Sequence, residues 1–183
     1  MRGVVGTEET RLVVVRGNSA SGKSSVAAGV RAGFGRNLAI VGQDNVRRTV
    51  LRERDKPGGA NIGLIDLTAR YALDNGFHAV VEGILYADHY ADMLRDLVRA
   101  HRGVTRCYYL DVHYEETVRR HATKHDAAYR ASVTEEHLRS WFRERDLLPG
   151  DLETVIGAAS TLDDTVRRIL QDTGLDQVEP VER

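Results

Sequence analysis

Gly17-Asn18-Ser19-Ala20-Ser21-Gly22-Lys23-Ser24 is a run of residue types able to grip a phosphate chain. Its pattern, G-x-x-x-x-G-K-S, gives each fixed position a physical duty: the glycines permit a tight turn, so that successive backbone N–H groups point inward at phosphate oxygens. A helix starting here adds its positive end. Lys23 has the length to reach β- and γ-phosphates, and the Ser24 hydroxyl suits Mg²⁺. Asn18, Ser19, Ala20, Ser21 and Ser25 complete the cradle. The apolar run Leu12-Val13-Val14-Val15 before it and Ser25-Val26-Ala27-Ala28 after it supply the strand and helix that this P-loop requires.

Two carboxylates supply what phosphoryl transfer needs beyond a cradle. A hydroxyl acceptor is a poor nucleophile whose proton must be taken up, and Asp44, just past a second apolar run, is placed to take it. Helix N-capping is the competing role for Asp44, and the two can coexist. Arg47, one turn on, shares its face and suits either an acceptor phosphate or the task of steadying the carboxylate. Glu82 ends the run Phe77-His78-Ala79-Val80-Val81. There it has two functional readings, a bond to an acceptor hydroxyl or a hold on Mg²⁺ through water, beside the plain one of a strand-end carboxylate facing solvent.

The elements that position these groups alternate. Strands are expected at 11–16, 37–42, 77–82, 104–111 and, from a weaker pattern, 153–157, with helical periodicity between them. This is the signature of an α/β fold with a parallel sheet of about five strands, whose C-terminal edge is where ligands bind. A helix is expected to begin at Asp44 and another to run roughly 61–74 after the breaker Lys56-Pro57-Gly58-Gly59. Tyr90, Met93, Leu94, Leu97 and Val98 mark one apolar helix face. Thr134 to His137 reads as a helix start, and Ser160 to Asp163 opens a last helix with Leu162, Val166, Ile169 and Leu170 on one face. Beyond Gly174 the pattern is that of a frayed tail. The polar stretch of about 119–135 is the candidate lid.

Composition sets bounds. The chain of 183 residues has 26 basic and 27 acidic side chains and a formal charge of −1, so no global field draws it to nucleic acid or membrane. Residues 1–183 read as a single domain. No secretory core or membrane-length apolar run occurs, which reads as a cytoplasmic protein. The lone Cys107 lies in an apolar stretch and reads as a buried hydrophobe.

Other signals compete less well. Asp55-Lys56-Pro57-Gly58 and Thr123-Lys124-His125-Asp126 match GTPase motifs, but neither follows an apolar strand. An ATP-driven machine would couple hydrolysis to a partner domain or a ring, and this chain is short for it. His121 and His125 have the spacing of helical zinc ligands without an accompanying H-E-x-x-H glutamate or a nearby cysteine. Trp141, Phe142 and Tyr129 either line an acceptor pocket or, for Trp141 and Phe142, pack their own helix.

Gly17 to Ser24, Asp44-Asn45-Val46-Arg47 and Val80-Val81-Glu82-Gly83 together resemble the P-loop kinases related to zeta toxins, polynucleotide 5′-kinases and chloramphenicol phosphotransferase. The order of elements resembles theirs over roughly residues 11–172. The resemblance implies a nucleoside- or nucleotide-kinase-like three-layer sandwich with a helical lid, using ATP and Mg²⁺. Asp44 would be the general base, Lys23 and Ser24 would bind ATP with Mg²⁺, and Arg119 and Arg120, where the lid should begin, would cover the transferring phosphoryl group. The expected acceptor is a small hydroxylated molecule such as a nucleoside, a nucleoside-like antibiotic or a sugar. Two departures bear on it: Gly83-Ile84-Leu85-Tyr86 lacks the Gly-Thr and nearby Arg of the toxins, and Asn45 stands where polynucleotide kinases commonly carry a second acid. A 5′-hydroxyl polynucleotide acceptor and a partner-coupled ATPase are the runners-up.

Overall fold

The run Leu12-Val13-Val14-Val15 forms the middle of the sheet, because β-branched residues suit a strand buried on both faces. In the computed structural model, which describes residues 3–123 and 131–180, it lies in β1, Arg11–Gly17. The described elements continue with α1 (Lys23–Phe34), β2 (Leu38–Gly42), a π-helical segment (Asn45–Val50), α2 (Ala60–Asp74), β3 (His78–Gly83) and α3 (Ala87–Ala100). After these come β4 (Val104–Asp111), α4 (Tyr114–Ala122), α5 (Glu135–Trp141), β5 (Glu153–Gly157), α6 (Leu162–Thr173) and a 3₁₀ turn, Leu175–Gln177.

The strands form one five-stranded sheet in the order β2-β3-β1-β4-β5, and every pairing is parallel. Side chains alternate across it and divide the core in two. Leu12, Val14, Val81 and Cys107 face a cluster with Ile65, Leu73, Tyr90, Leu94 and Leu97 of α2 and α3. Val13, Val15, Val80 and Tyr108 face the other side, against Val26, Val30 and Phe34 of α1 and Ile169 of α6. The result is the expected α/β three-layer fold of P-loop NTPases. Helices α1 and α6 approach closely at Gly29, where an added Cβ would lie 2.6 Å from a Val166 methyl.

Because the strands run in one direction, their C-terminal ends share one edge. Register places Val15 beside Glu82, Gly42 beside Glu82 and Gly17 beside Leu110. The P-loop, Asp44 and Glu82 thereby meet on one side of the molecule.

Several expectations need correction. β2 and β3 each begin one residue later than the apolar pattern implied, and β1 runs on to Gly17. Asp44 precedes its helix without a side-chain cap hydrogen bond, because its carboxylate is engaged by arginines instead. Leu162 is exposed, so the packed face of α6 starts a turn later, at Thr165 and Val166. The tail expected to fray after Gly174 is anchored: Leu175 is buried in the core beside α1 and α6. Cys107 is buried as expected, and burial pushes its thiol up to about 12.

Candidate active site

A cavity of about 620 Å³ opens on the C-terminal edge of the sheet, lined by the P-loop from Ser19 to Ser25, Asp44, Glu82, Gly83, Glu116, Arg119 and Arg120. The loop owes its shape to backbone that few residues tolerate. Gly17 has φ +143° and Gly22 φ +107°, and a Cβ on Gly17 would come 2.7 Å from the Leu110 carbonyl oxygen. Ala20 is also left-handed, at φ +59°, a conformation that costs a non-glycine residue on the order of 1 kcal/mol and is typical of functional loops. Lys23 Nζ donates to the Asn18 carbonyl at 2.7 Å and reaches Ser21 Oγ at 3.4 Å.

Glu82 is nearly buried, and Ser24 Oγ donates to its Oε2 at 3.2 Å. This hydroxyl and carboxylate, side by side at the loop's end, are hard oxygen donors that suit Mg²⁺. The sequence reading assigns Glu82, with Arg47, to orienting the acceptor; in the structure its carboxylate meets the P-loop hydroxyl of Ser24.

Asp44 also lines the cavity, with a side chain 56% exposed. Arg47 Nη2 and Arg48 Nε each lie 3.1 Å from its Oδ1. Arg47 therefore fills the second of its expected roles, steadying the carboxylate, and its Nη1 also donates to the Glu53 carbonyl. The cavity is lined by Arg48 and not by Arg47. Arg48 is four residues past Asp44, so on a helical turn it shares that face with Arg47. The D-x-x-R pattern points to Arg47 and says nothing of Arg48.

Of the candidate lid, residues 124–130 lie outside the described residues, and Tyr129 and His125 with them. Arg119 and Arg120 sit on the last turn of α4, and both grip Glu116, whose carboxyl their hydrogen bonds hold down at about 2. Arg120 Nη1 also donates to the Ser21 carbonyl at 3.0 Å, which ties α4 to the P-loop. Arg119 lines the cavity but has no such bond to the loop.

Contacts that the motif does not specify also brace the loop. Asn18 accepts from the Arg143 backbone N–H at 2.9 Å and donates to the Arg143 carbonyl at 2.8 Å, stapling the P-loop to the segment after α5. Arg16 is fully buried and bonds Glu153, Asp146 and the Leu85 carbonyl. Ile156 to Leu162 and Thr165, from β5, the loop after it and the start of α6, also line the cavity.

Of the competing motifs, residues 124–126 of Thr123-Lys124-His125-Asp126 lie outside the described residues. Asp55 is a loop residue that follows no strand, held by the Tyr90 hydroxyl at 2.7 Å and Gln43 Nε2 at 3.0 Å. His121 Nε2 lies 2.8 Å from the Val133 carbonyl, and no group of three or more metal-ligating side chains gathers among the described residues. Trp141 stacks on His137, and Phe142 meets Tyr114 edge-on.

The family model AAA_33, described as an AAA domain, matches residues 12–148. No curated protein matches the chain by sequence. Among solved structures, a sugar kinase from Janibacter sp. HTCC2649 superposes with a TM-score of 0.66 at 20% identity, covering 94% of this chain and 99% of the other. The APS kinase of Mycobacterium tuberculosis in complex with AMPPNP and APS gives 0.65 at 18% identity, covering 92% and 98%. A gluconokinase from Sinorhizobium meliloti 1021 gives 0.60 at 18% identity, covering 94% of each chain. At these identities the likeness establishes the fold.

Proposed function

The chain belongs to the AAA_33 family of AAA domains, and from that premise we propose that it is a single-domain phosphotransferase moving the γ-phosphoryl group of ATP to a hydroxyl of a small molecule. One observation carries the reading: Asp44 lines the same cavity as the P-loop and the Ser24–Glu82 pair. A carboxylate in that cavity can take the proton of an acceptor hydroxyl as it attacks. The likeness of fold to kinases of sugars, gluconate and APS agrees with this. The finer kinship, with the zeta-toxin, polynucleotide-kinase and chloramphenicol-phosphotransferase group, rests on D-x-x-R and V-E-G. No described helix is long and apolar enough to cross a membrane, and a cytoplasmic setting fits an ATP-dependent reaction.

The chemistry follows from the residues. Lys23 and the loop amides hold the phosphates of ATP. Ser24, with Glu82 behind it, would hold Mg²⁺, which neutralises phosphate charge. Asp44 orients the acceptor hydroxyl and takes its proton as the oxygen attacks in line. Arg120, already fixed to the loop, stabilises charge on the transferring group, with Arg119 beside it.

The test is transfer of labelled γ-phosphate from ATP with Mg²⁺ to a panel of sugars, sugar acids, nucleosides, nucleoside antibiotics and 5′-hydroxyl oligonucleotides. Label on a small-molecule acceptor is the expected result. Label released only as free phosphate, at a rate unchanged in Asp44→Asn, would overturn the reading.

A further inference from the structure

Asp44, Arg47, Arg48 and Trp141 form a group at the acceptor end that a neutral hydroxylated substrate would not need. The two arginines share a single carboxylate oxygen, Oδ1, at 3.1 Å each. They are held differently. Arg47 has a side chain only 15% exposed and a further bond to the Glu53 carbonyl, so it belongs to the support of Asp44. Arg48 lines the cavity and lies over the Trp141 ring, its guanidinium carbon 5.7 Å from the centroid. Trp141 is fixed in turn, since its carbonyl accepts from the Tyr86 hydroxyl at 2.7 Å.

A guanidinium laid over an indole keeps its planar fork, which matches the two oxygens of a carboxylate, phosphate or sulfate. We infer that Arg48 is a specificity-determining residue: it binds an oxyanion on the acceptor, so that the substrate is a hydroxylated small molecule carrying a carboxylate, phosphate or sulfate group. This rests on the kinase reading for the role of the neighbouring Asp44. With the oxyanion on Arg48, the acceptor hydroxyl is delivered beside the carboxylate, and neutral polyols lack the anchor. The oxyanion is bound and released unchanged, so no bond is made or broken in this step.

Trp141 is the chain's single tryptophan, which makes it a built-in reporter. The experiment is a titration of full-length protein with sodium sulfate at constant ionic strength, followed by Trp141 fluorescence, with saturating AMPPNP and Mg²⁺ present to fill the P-loop. Wild type should give a saturable change. In Arg48→Gln the midpoint should rise by roughly tenfold or more, and Arg48→Lys, which keeps the charge but loses the fork, should fall between. Unaltered melting temperatures would establish that both variants are folded. A wild-type signal that does not saturate, or a midpoint identical in Arg48→Gln, overturns the inference. AMPPNP binding, measured separately by calorimetry, tests the kinase reading on its own, and its absence would count against that reading while the sulfate titration still decides the role of Arg48.

Discussion

Ser24 Oγ donates to Glu82 Oε2 across 3.2 Å, joining the first turn of α1 to the end of β3. The contact exists because β1 and β3 are adjacent and in register at Val15 and Glu82, so that the loop leaving β1 returns over the carboxylate. If the pair holds Mg²⁺, Glu82→Gln keeps the shape and removes the charge. The Mg²⁺ concentration for half-maximal transfer should then rise roughly 10–100-fold, the range for lost metal-supporting groups. An unchanged Mg²⁺ requirement with a raised acceptor KM would move Glu82 to the acceptor side.

The Asp44 carboxylate is engaged by Arg47 and Arg48 of the segment after β2, whereas Lys23 is bound within the P-loop. Asp44→Asn should therefore leave ATP affinity within about twofold while transfer falls by ~10²-fold or more, the usual scale for a general base. Single-turnover transfer and calorimetric ATP binding, run together, check both halves. Equal losses in the two would make Asp44 a structural or metal-binding residue.

The parts of this site legible in sequence are those whose chemistry needs adjacent residues. The P-loop is a continuous segment, and Asp44 and Glu82 each follow an apolar run that marks a strand end. Arg48 shares the Asp44 face at the ordinary i,i+4 spacing, but the D-x-x-R pattern singles out Arg47. Asn18 and Arg143, 125 positions apart, meet only through the fold. Arg16 gave a faint signal: an arginine directly after four buried aliphatic residues must find acids somewhere, though which acids could not be read. The cavity-lining run Ala158-Ala159-Ser160 carries no motif.

Arg16 supplies the clearest stability test. Its guanidinium is fully buried, with Nη1 2.9 Å from Glu153 and Nη2 2.9 Å from Asp146. Arg16→Met fills similar volume but leaves Glu153, itself only 2% exposed, without its cation. Removing one partner of a buried ion pair costs on the order of 3–5 kcal/mol, so the melting temperature should drop by about 10 °C or more. Arg16→Met with Glu153→Met should recover much of that loss, since the uncompensated charge goes with it. A single variant as stable as wild type would mean that water enters to solvate the carboxylate.

His78 and His101 give the protein an acid sensitivity that is separate from its active site. Burial, with Arg11 nearby, lowers each from 6.5 to about 4. The local bonds favour the neutral rings: His78 Nδ1 accepts from the Arg11 backbone N–H at 3.1 Å, and His101 sits between the hydroxyls of Thr10 and Thr105. The unfolded chain takes up protons as pH falls through about 6.5, whereas the folded chain resists until about 4. Stability should therefore be constant from these groups above about pH 6.5 and decline between about 6.5 and 4, by about 1–2 kcal/mol for each histidine once partial solvent contact is allowed for. The depressed carboxyls behave differently, because Glu116, held at about 2, loses its contribution only below its ordinary 4.5. The two windows barely overlap, so denaturant unfolding at pH 7 and pH 5 isolates the histidines. His78→Gln and His101→Gln should each flatten that decline, and a slope unchanged in both would place the acid sensitivity elsewhere.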